Sequence, residues 1–219
     1  MTAPTFRGIF PHNWTAEILP NRPMILPSRH YVYPAQVEEV ERGALEILVQ
    51  PGKASSVENE DNSPDVQSQF LATCALGFRD TAVPTGLWSM PNPDWLCAVS
   101  GGYAYLIDVA QPDRFTHLRF RPVLEVLSYE SGVCNPEPET AQLQDGTSNS
   151  QMKPLLLFVG HHSVLAWGCD GEVWESDRLS SEGITNLHID EAQLRGEGWD
   201  LMTDKETPFA LDLATGKRV

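Results

Sequence analysis

Two adjacent histidines, His161-His162, are the most visible chemical feature of this sequence. Neighbouring side chains on a strand point to opposite faces, so such a pair rarely chelates one metal, but a turn relaxes that rule. With Asp170, Glu172 or Asp177 brought close, the pair would suit a metal or an acid–base site. The plainer expectation is an exposed hairpin tip. Just downstream, Glu175-Ser-Asp-Arg178, Ser180-Ser-Glu-Gly183 and Gly196-Glu-Gly-Trp-Asp200 gather many polar groups. Asp177 and Arg178 could line a polar pocket there, although an ion pair fixing a sheet corner is the preferred reading. Trp88 lies in Thr85-Gly-Leu-Trp-Ser-Met-Pro-Asn-Pro93, which reads as a loop. It is the best candidate for an exposed aromatic platform on which a ligand ring could stack. The candidate ligand-binding residues are therefore His161, His162, Asp177, Arg178 and Trp88. No catalytic residue, metal-ligand set or cofactor is expected. There is no P-loop, GxGxxG, GxSxG, HExxH or EF-hand loop.

Composition narrows the function classes. The 219 residues carry 15 Lys and Arg against 30 Asp and Glu, a net charge of −15. Phosphate binding needs clustered cations, so nucleic acid and anionic membrane surfaces are poor partners. Hydrophobic residues make up 41%, enough for a real core. No apolar run reaches the length of a membrane span, and the first residues lack a secretory signal pattern. Cys74, Cys97, Cys134 and Cys169 form no CxxC pair. Free thiols in a reducing cytoplasm are the simplest expectation, although four cysteines could make two bridges.

The elements that would position these residues are mostly strands. Residues 1–34 stand apart, with Pro4, Pro11, Pro20, Pro23, Pro27 and Pro34. Arg7, Arg22 and Arg29 against Glu17 give this segment +2, which leaves −17 on the other 185 residues. Its prolines disfavour helix and ladder alike, yet it is too apolar for a free tail. It reads as an extended strap on an acidic body, or as a strap that joins subunits of a homo-oligomer. Residues 35–42 could form a short helix. From there to residue 219 the chain reads as a single all-β domain. Twelve β-rich runs follow one another between turn signals: 44–50, 68–76, 95–100, 103–109, 115–120, 123–129, 155–160, 163–168, 172–176, 184–189, 192–199 and 207–213. Polar insertions at 51–66 and 130–153 read as long loops. This pattern predicts propeller-like repeats of short antiparallel strands, with a two-sheet sandwich or distorted barrel as the alternative.

The chain also resembles itself. Cys97–Ile107 aligns with Leu157–Trp167, each an apolar strand, a two-residue turn and a second strand. Gly101-Gly102 suits the left-handed dihedrals of a tight hairpin; His161-His162 suits them less, so a wider or strained turn is expected there. Ala210-Leu-Asp-Leu-Ala-Thr-Gly-Lys217 carries a further signature, in which Asp212 accepts from backbone N–H groups ahead and Gly216 takes the left-handed position. Asp108, Gly168 and, more weakly, Glu46 hold the corresponding places. A unit near 44 residues is the length of a four-stranded propeller blade.

Residues 156–177, LLFVGHHSVLAWGCDGEVWESD, and 208–217, PFALDLATGK, resemble blades of quinoprotein-like, PQQ-type β-propellers. Those blades carry an Ala-x-Asp strand, a Thr-Gly-Lys turn and a closing Trp. Here Gly168 replaces the Asp of one copy, Trp174 holds the place of the closing Trp, and the last copy ends before its Trp. The resemblance implies blade architecture alone, because the family's quinone-binding residues have no counterparts. The whole chain also resembles a bacterial protein. The expected function is a non-enzymatic binding or protein-interaction module, with an unknown protein or small molecule as partner. The alternative is a hydrolase or lyase with a polar site in residues 161–200.

Overall fold

The computed structural model describes residues 4–35, 43–52, 69–80, 82–130, 134 and 152–219. The helix expected at 35–42 and the bulk of the loops expected at 51–66 and 130–153 lie outside these residues. Among the described residues the chain is all-β, with sixteen strands and no helix. In order these are β1 (Thr5–Arg7), β2 (Trp14–Leu19), β3 (His30–Tyr33), β4 (Ala44–Pro51), β5 (Phe70–Ala75), β6 (Gly86–Ser89), β7 (Trp95–Ser100) and β8 (Tyr103–Asp108). Then follow β9 (Phe115–His117), β10 (Glu125–Tyr129), β11 (Leu155–Val159), β12 (Val164–Gly168), β13 (Gly171–Glu175), β14 (Ile184–Asp190), β15 (Gln193–Asp200) and β16 (Lys205–Asp212). They form four small, mostly antiparallel sheets, and none closes into a barrel. Contacts divide the chain into two compact units, Met1–Glu125 and Val126–Val219.

In the first unit the sheets run β2-β4-β5-β3 and β1-β6-β7-β8-β9. The proline-rich segment expected as a strap supplies three of these strands. β2 pairs antiparallel with β4, while β1 and β3 pair parallel with β6 and β5. Each proline of that segment falls outside the strands, so none removes a ladder donor. Leu45, Ile47, Val49, Phe70 and Ala72 from one sheet pack on Leu87, Leu96, Ala98, Tyr105 and Ile107 from the other. Each large apolar side chain buried there contributes roughly 1.5–3 kcal/mol. Two tyrosine hydroxyls in the seam are paired: that of Tyr105 donates to the Ala75 carbonyl at 3.0 Å and that of Tyr33 to the Pro112 carbonyl at 2.8 Å. Gly101 and Gly102 turn β7 into β8 with φ of 56° and 76°, as that hairpin requires.

The second unit holds the sheets β10-β11-β12-β13 and β14-β15-β16. Leu155, Leu157, Val164, Ala166, Leu194, Phe209 and Leu211 make its core. Trp174 joins the two sheets. Its indole N–H donates to the Leu213 carbonyl at 2.8 Å, and its ring lies against Gly216. A Cβ on Gly216 would stand 2.5 Å from that ring, and φ there is 69°, so only glycine fits. Asp212 accepts from the Thr215 N–H at 2.9 Å and the Thr215 hydroxyl at 2.8 Å, the turn that its sequence predicts. Asp108 does the same work in the first unit, accepting from the N–H groups of Ala110 and Gln111 at 3.0 Å. The four repeat positions, Glu46, Asp108, Gly168 and Asp212, fall one in each sheet.

The cysteines correct one expectation. Cys74 and Cys97 are free, buried thiols, and burial pushes both well above the usual thiol range. Cys134 and Cys169 are joined in a disulfide, with their Cα atoms 5.6 Å apart. The spacing could not show this, because pairing depends on a through-space approach that only the fold creates.

Candidate functional site

Of the expected site residues, His162 and Arg178 meet on one backbone carbonyl. The last ladder pair of the β11–β12 hairpin is Val159 with Val164, and the Gly160 N–H donates to the Ser163 carbonyl at 3.0 Å. Neither histidine of the turn has positive φ, so this is the wider connection that His-His favours. Both rings are exposed, with centroids 6.0 Å apart. The His162 Nδ1–H donates to the Ser180 carbonyl at 3.1 Å, a bond that fixes its tautomer because a carbonyl only accepts. Arg178 Nε donates to the same carbonyl at 3.0 Å. His162 thus pins the segment after β13 to the hairpin, and Arg178 braces that segment from within. Asp177 is exposed and forms no ion pair with Arg178, against the expected corner pair. Trp88 belongs to β6 in the other unit and is only 4% exposed. The expected loop platform is therefore a buried strand residue, because a four-residue strand between prolines shows too little alternation to be recognised. Among the described residues no three His, Cys, Asp or Glu are placed to hold a metal.

A further set of polar groups converges on β14–β15–β16. Leu187, Ile189, Leu194, Phe209 and Leu211 turn one face of this sheet to the core. The opposite face carries a cleft of about 460 Å³, lined among others by Asn186, His188, Arg195, Glu197, Pro208 and Arg218. Register places His188 opposite Arg195, Arg195 opposite Ala210 and Glu197 opposite Pro208. The small Ala210 and rigid Pro208 therefore leave space beside longer polar neighbours. A bulge between Thr185 and His188 sets the wall, with Asn186 in the left-handed region at φ 53°. A non-glycine residue there stores strain, and two bonds hold it. The Asn186 amide donates to Glu197 at 2.5 Å, and the His188 Nδ1–H donates to the Asn186 carbonyl at 3.0 Å. His188 consequently presents Nε2 as its remaining ring nitrogen. Arg195 is held by Asp190 at 3.3 Å and by Gln193 at 3.0 Å. Arg218 makes no ion pair among the described residues. The cleft thus offers oriented guanidinium and imidazole groups but no nucleophile paired with a base. Sequence alternation in 184–190 and 193–199 hinted at a polar face, but the partners meet only through cross-strand register.

A second polar line crosses three strands of the first unit. The Thr73 hydroxyl, fully buried, donates to the buried Glu46 carboxylate at 2.6 Å. That uses its only proton, so Thr73 Oγ1 accepts from His30 Nε2–H at 2.9 Å. An Arg22 guanidinium nitrogen lies 3.2 Å from the same ring nitrogen. Burial and the Arg22 charge, partly offset by Glu46, hold the His30 ring below the usual imidazole range. The fold therefore favours neutral His30. Its contribution to stability is full above about pH 6.5 and is lost as pH falls below that value. In urea titrations the wild type is expected to lose more stability from pH 7 to about pH 5 than His30→Gln does. Equal losses would show that His30 is not linked to folding.

Compared with known protein families the chain matches none, and no curated protein is similar to it.

Proposed function

We propose that the chain is a non-enzymatic binding module built from blade-like sheets. The cleft on β14–β15–β16 is its ligand site, and the oriented Arg195 and His188, with Arg218 beside them, carry the reading. Guanidinium groups select carboxylate or phosphate oxygens, so the fitting ligand is a small molecule with one acidic group. The blade reading draws support from the recurrence of one repeat position per sheet and from the sequential β6-β7-β8-β9, β10-β11-β12-β13 and β14-β15-β16 orders. The hydrolase or lyase alternative has less support, since His162 and Arg178 both serve a backbone carbonyl. No helix among the described residues is long and apolar enough to cross a membrane. A structural disulfide persists best in oxidising surroundings, which counts against the reducing cytoplasm expected from the cysteine pattern.

Thermal unfolding in a panel of small carboxylates, phosphates and neutral sugars tests the reading. At least one acidic compound is expected to raise the transition temperature of the wild type, and Arg195→Ala/Arg218→Ala is expected to abolish the shift. Shifts that survive in the double variant, or arise only with neutral sugars, would remove the cleft from consideration.

A further inference from the structure

The cleft face of β15 carries two opposite charges that do not neutralise each other. Arg195 and Glu197 stand two residues apart on one strand, so their side chains leave the same face about 7 Å apart at the backbone. Among the described residues no ion pair joins them. Arg195 is drawn away towards the β14–β15 turn, where its Nε meets Asp190 at 3.3 Å and its Nη2 donates to Gln193 at 3.0 Å. Glu197 is held on the other side, its Oε2 accepting from the Asn186 amide at 2.5 Å.

These bonds orient both groups and leave part of each unused. Among the described residues Arg195 Nη1 has no partner, and neither has Glu197 Oε1. His188 Nε2 is a third such atom. Its ring donates through Nδ1 to the Asn186 carbonyl at 3.0 Å, so the neutral imidazole accepts at Nε2. The cleft thus sets a guanidinium donor for a carboxylate beside acceptors for an ammonium group. Pro208 and Ala210, opposite Glu197 and Arg195 on β16, make the floor between them apolar.

The charge of the whole chain favours the same kind of ligand. A plain anion approaches a molecule of net charge −15 against repulsion, whereas a zwitterion brings no net charge.

With the cleft taken as the ligand site, we infer that its ligand is a free α-amino acid with an apolar side chain. Its carboxylate meets Arg195, its ammonium group meets Glu197, and its side chain lies on Pro208 and Ala210. A cleft of about 460 Å³ has room for a molecule of that size.

Titration calorimetry of the full chain with L-alanine, L-leucine and L-phenylalanine tests it, each beside its des-amino acid and its amide. At least one amino acid is expected to bind, with its des-amino acid and its amide about tenfold or more weaker, since each lacks one charge-assisted bond. Glu197→Gln is expected to bring the amino acid down to the affinity of its des-amino acid, and to leave the des-amino acid as it was. Arg195→Ala is expected to weaken both. A des-amino acid that binds the wild type as well as its amino acid overturns the inference and leaves the carboxylate site standing. Failure of all three amino acids to bind, while other carboxylates or phosphates still raise the transition temperature, has the same meaning. Silence from every compound removes the cleft as well.

Discussion

Trp174→Ala is expected to lower the unfolding free energy of the second unit by about 3–5 kcal/mol, the largest single-residue effect in the chain. The indole is the piece common to both sheets of that unit. It projects from β13, stacks on the Thr215-Gly216 turn and donates to the Leu213 carbonyl at 2.8 Å. Truncation would open a cavity beneath the turn and leave that carbonyl without its donor. Trp174→Phe separates the two contributions, because it keeps most of the apolar contact and removes only the donor. A loss of about 1–2 kcal/mol is expected for it. Chemical unfolding followed by far-ultraviolet dichroism measures both. An alanine variant within about 1 kcal/mol of wild type would mean that the sheets hold together without the indole.

Loss of the Cys134–Cys169 bond is the second large effect. The bond closes a loop of sequence separation 35, and in the chain-entropy account such a loop stabilises by about 3–4 kcal/mol through the unfolded state. Cys134→Ser/Cys169→Ser is expected to show that loss without reductant, and wild type in dithiothreitol is expected to match it. Cys74 and Cys97 make this comparison clean, since both are fully buried thiols that alkylate only after unfolding. Equal stability of wild type with and without reductant, at complete alkylation of Cys134 and Cys169, would contradict the prediction.

The strands were legible where each carried its own apolar signal. All twelve β-rich runs are strands, from β4 to β16 with only β6 missed. The other three missed strands, β1, β2 and β3, lie in the proline-rich first 34 residues. Averaged over the segment, proline density argues against a ladder; residue by residue, the prolines sit just outside Thr5–Arg7, Trp14–Leu19 and His30–Tyr33. The apolar content of that segment was the better guide. The Asp212-Thr215-Gly216 turn was legible because its bonds are local. The ligand cleft and the Glu46–Thr73–His30 line were not, because their members lie on different strands and meet only through register. His161-His162 drew attention through adjacency, which on a hairpin tip brings side chains to solvent and to a nearby carbonyl.

The parallel pairings of the amino-terminal strands bear on the order of synthesis. Thr5 pairs with Gly86 and His30 with Leu71, so β1 and β3 find their partners only after about eighty and about forty further residues have emerged. The strands from β10 to β16 need no such delay apart from the 130–153 stretch, because within each of their two sheets every strand pairs with the next. Non-local pairing of this kind slows folding, since the chain closes long loops before any contact offsets their entropy. During translation β1 and β3 therefore wait unpaired, which makes the nascent first unit the part of this protein that most needs a chaperone.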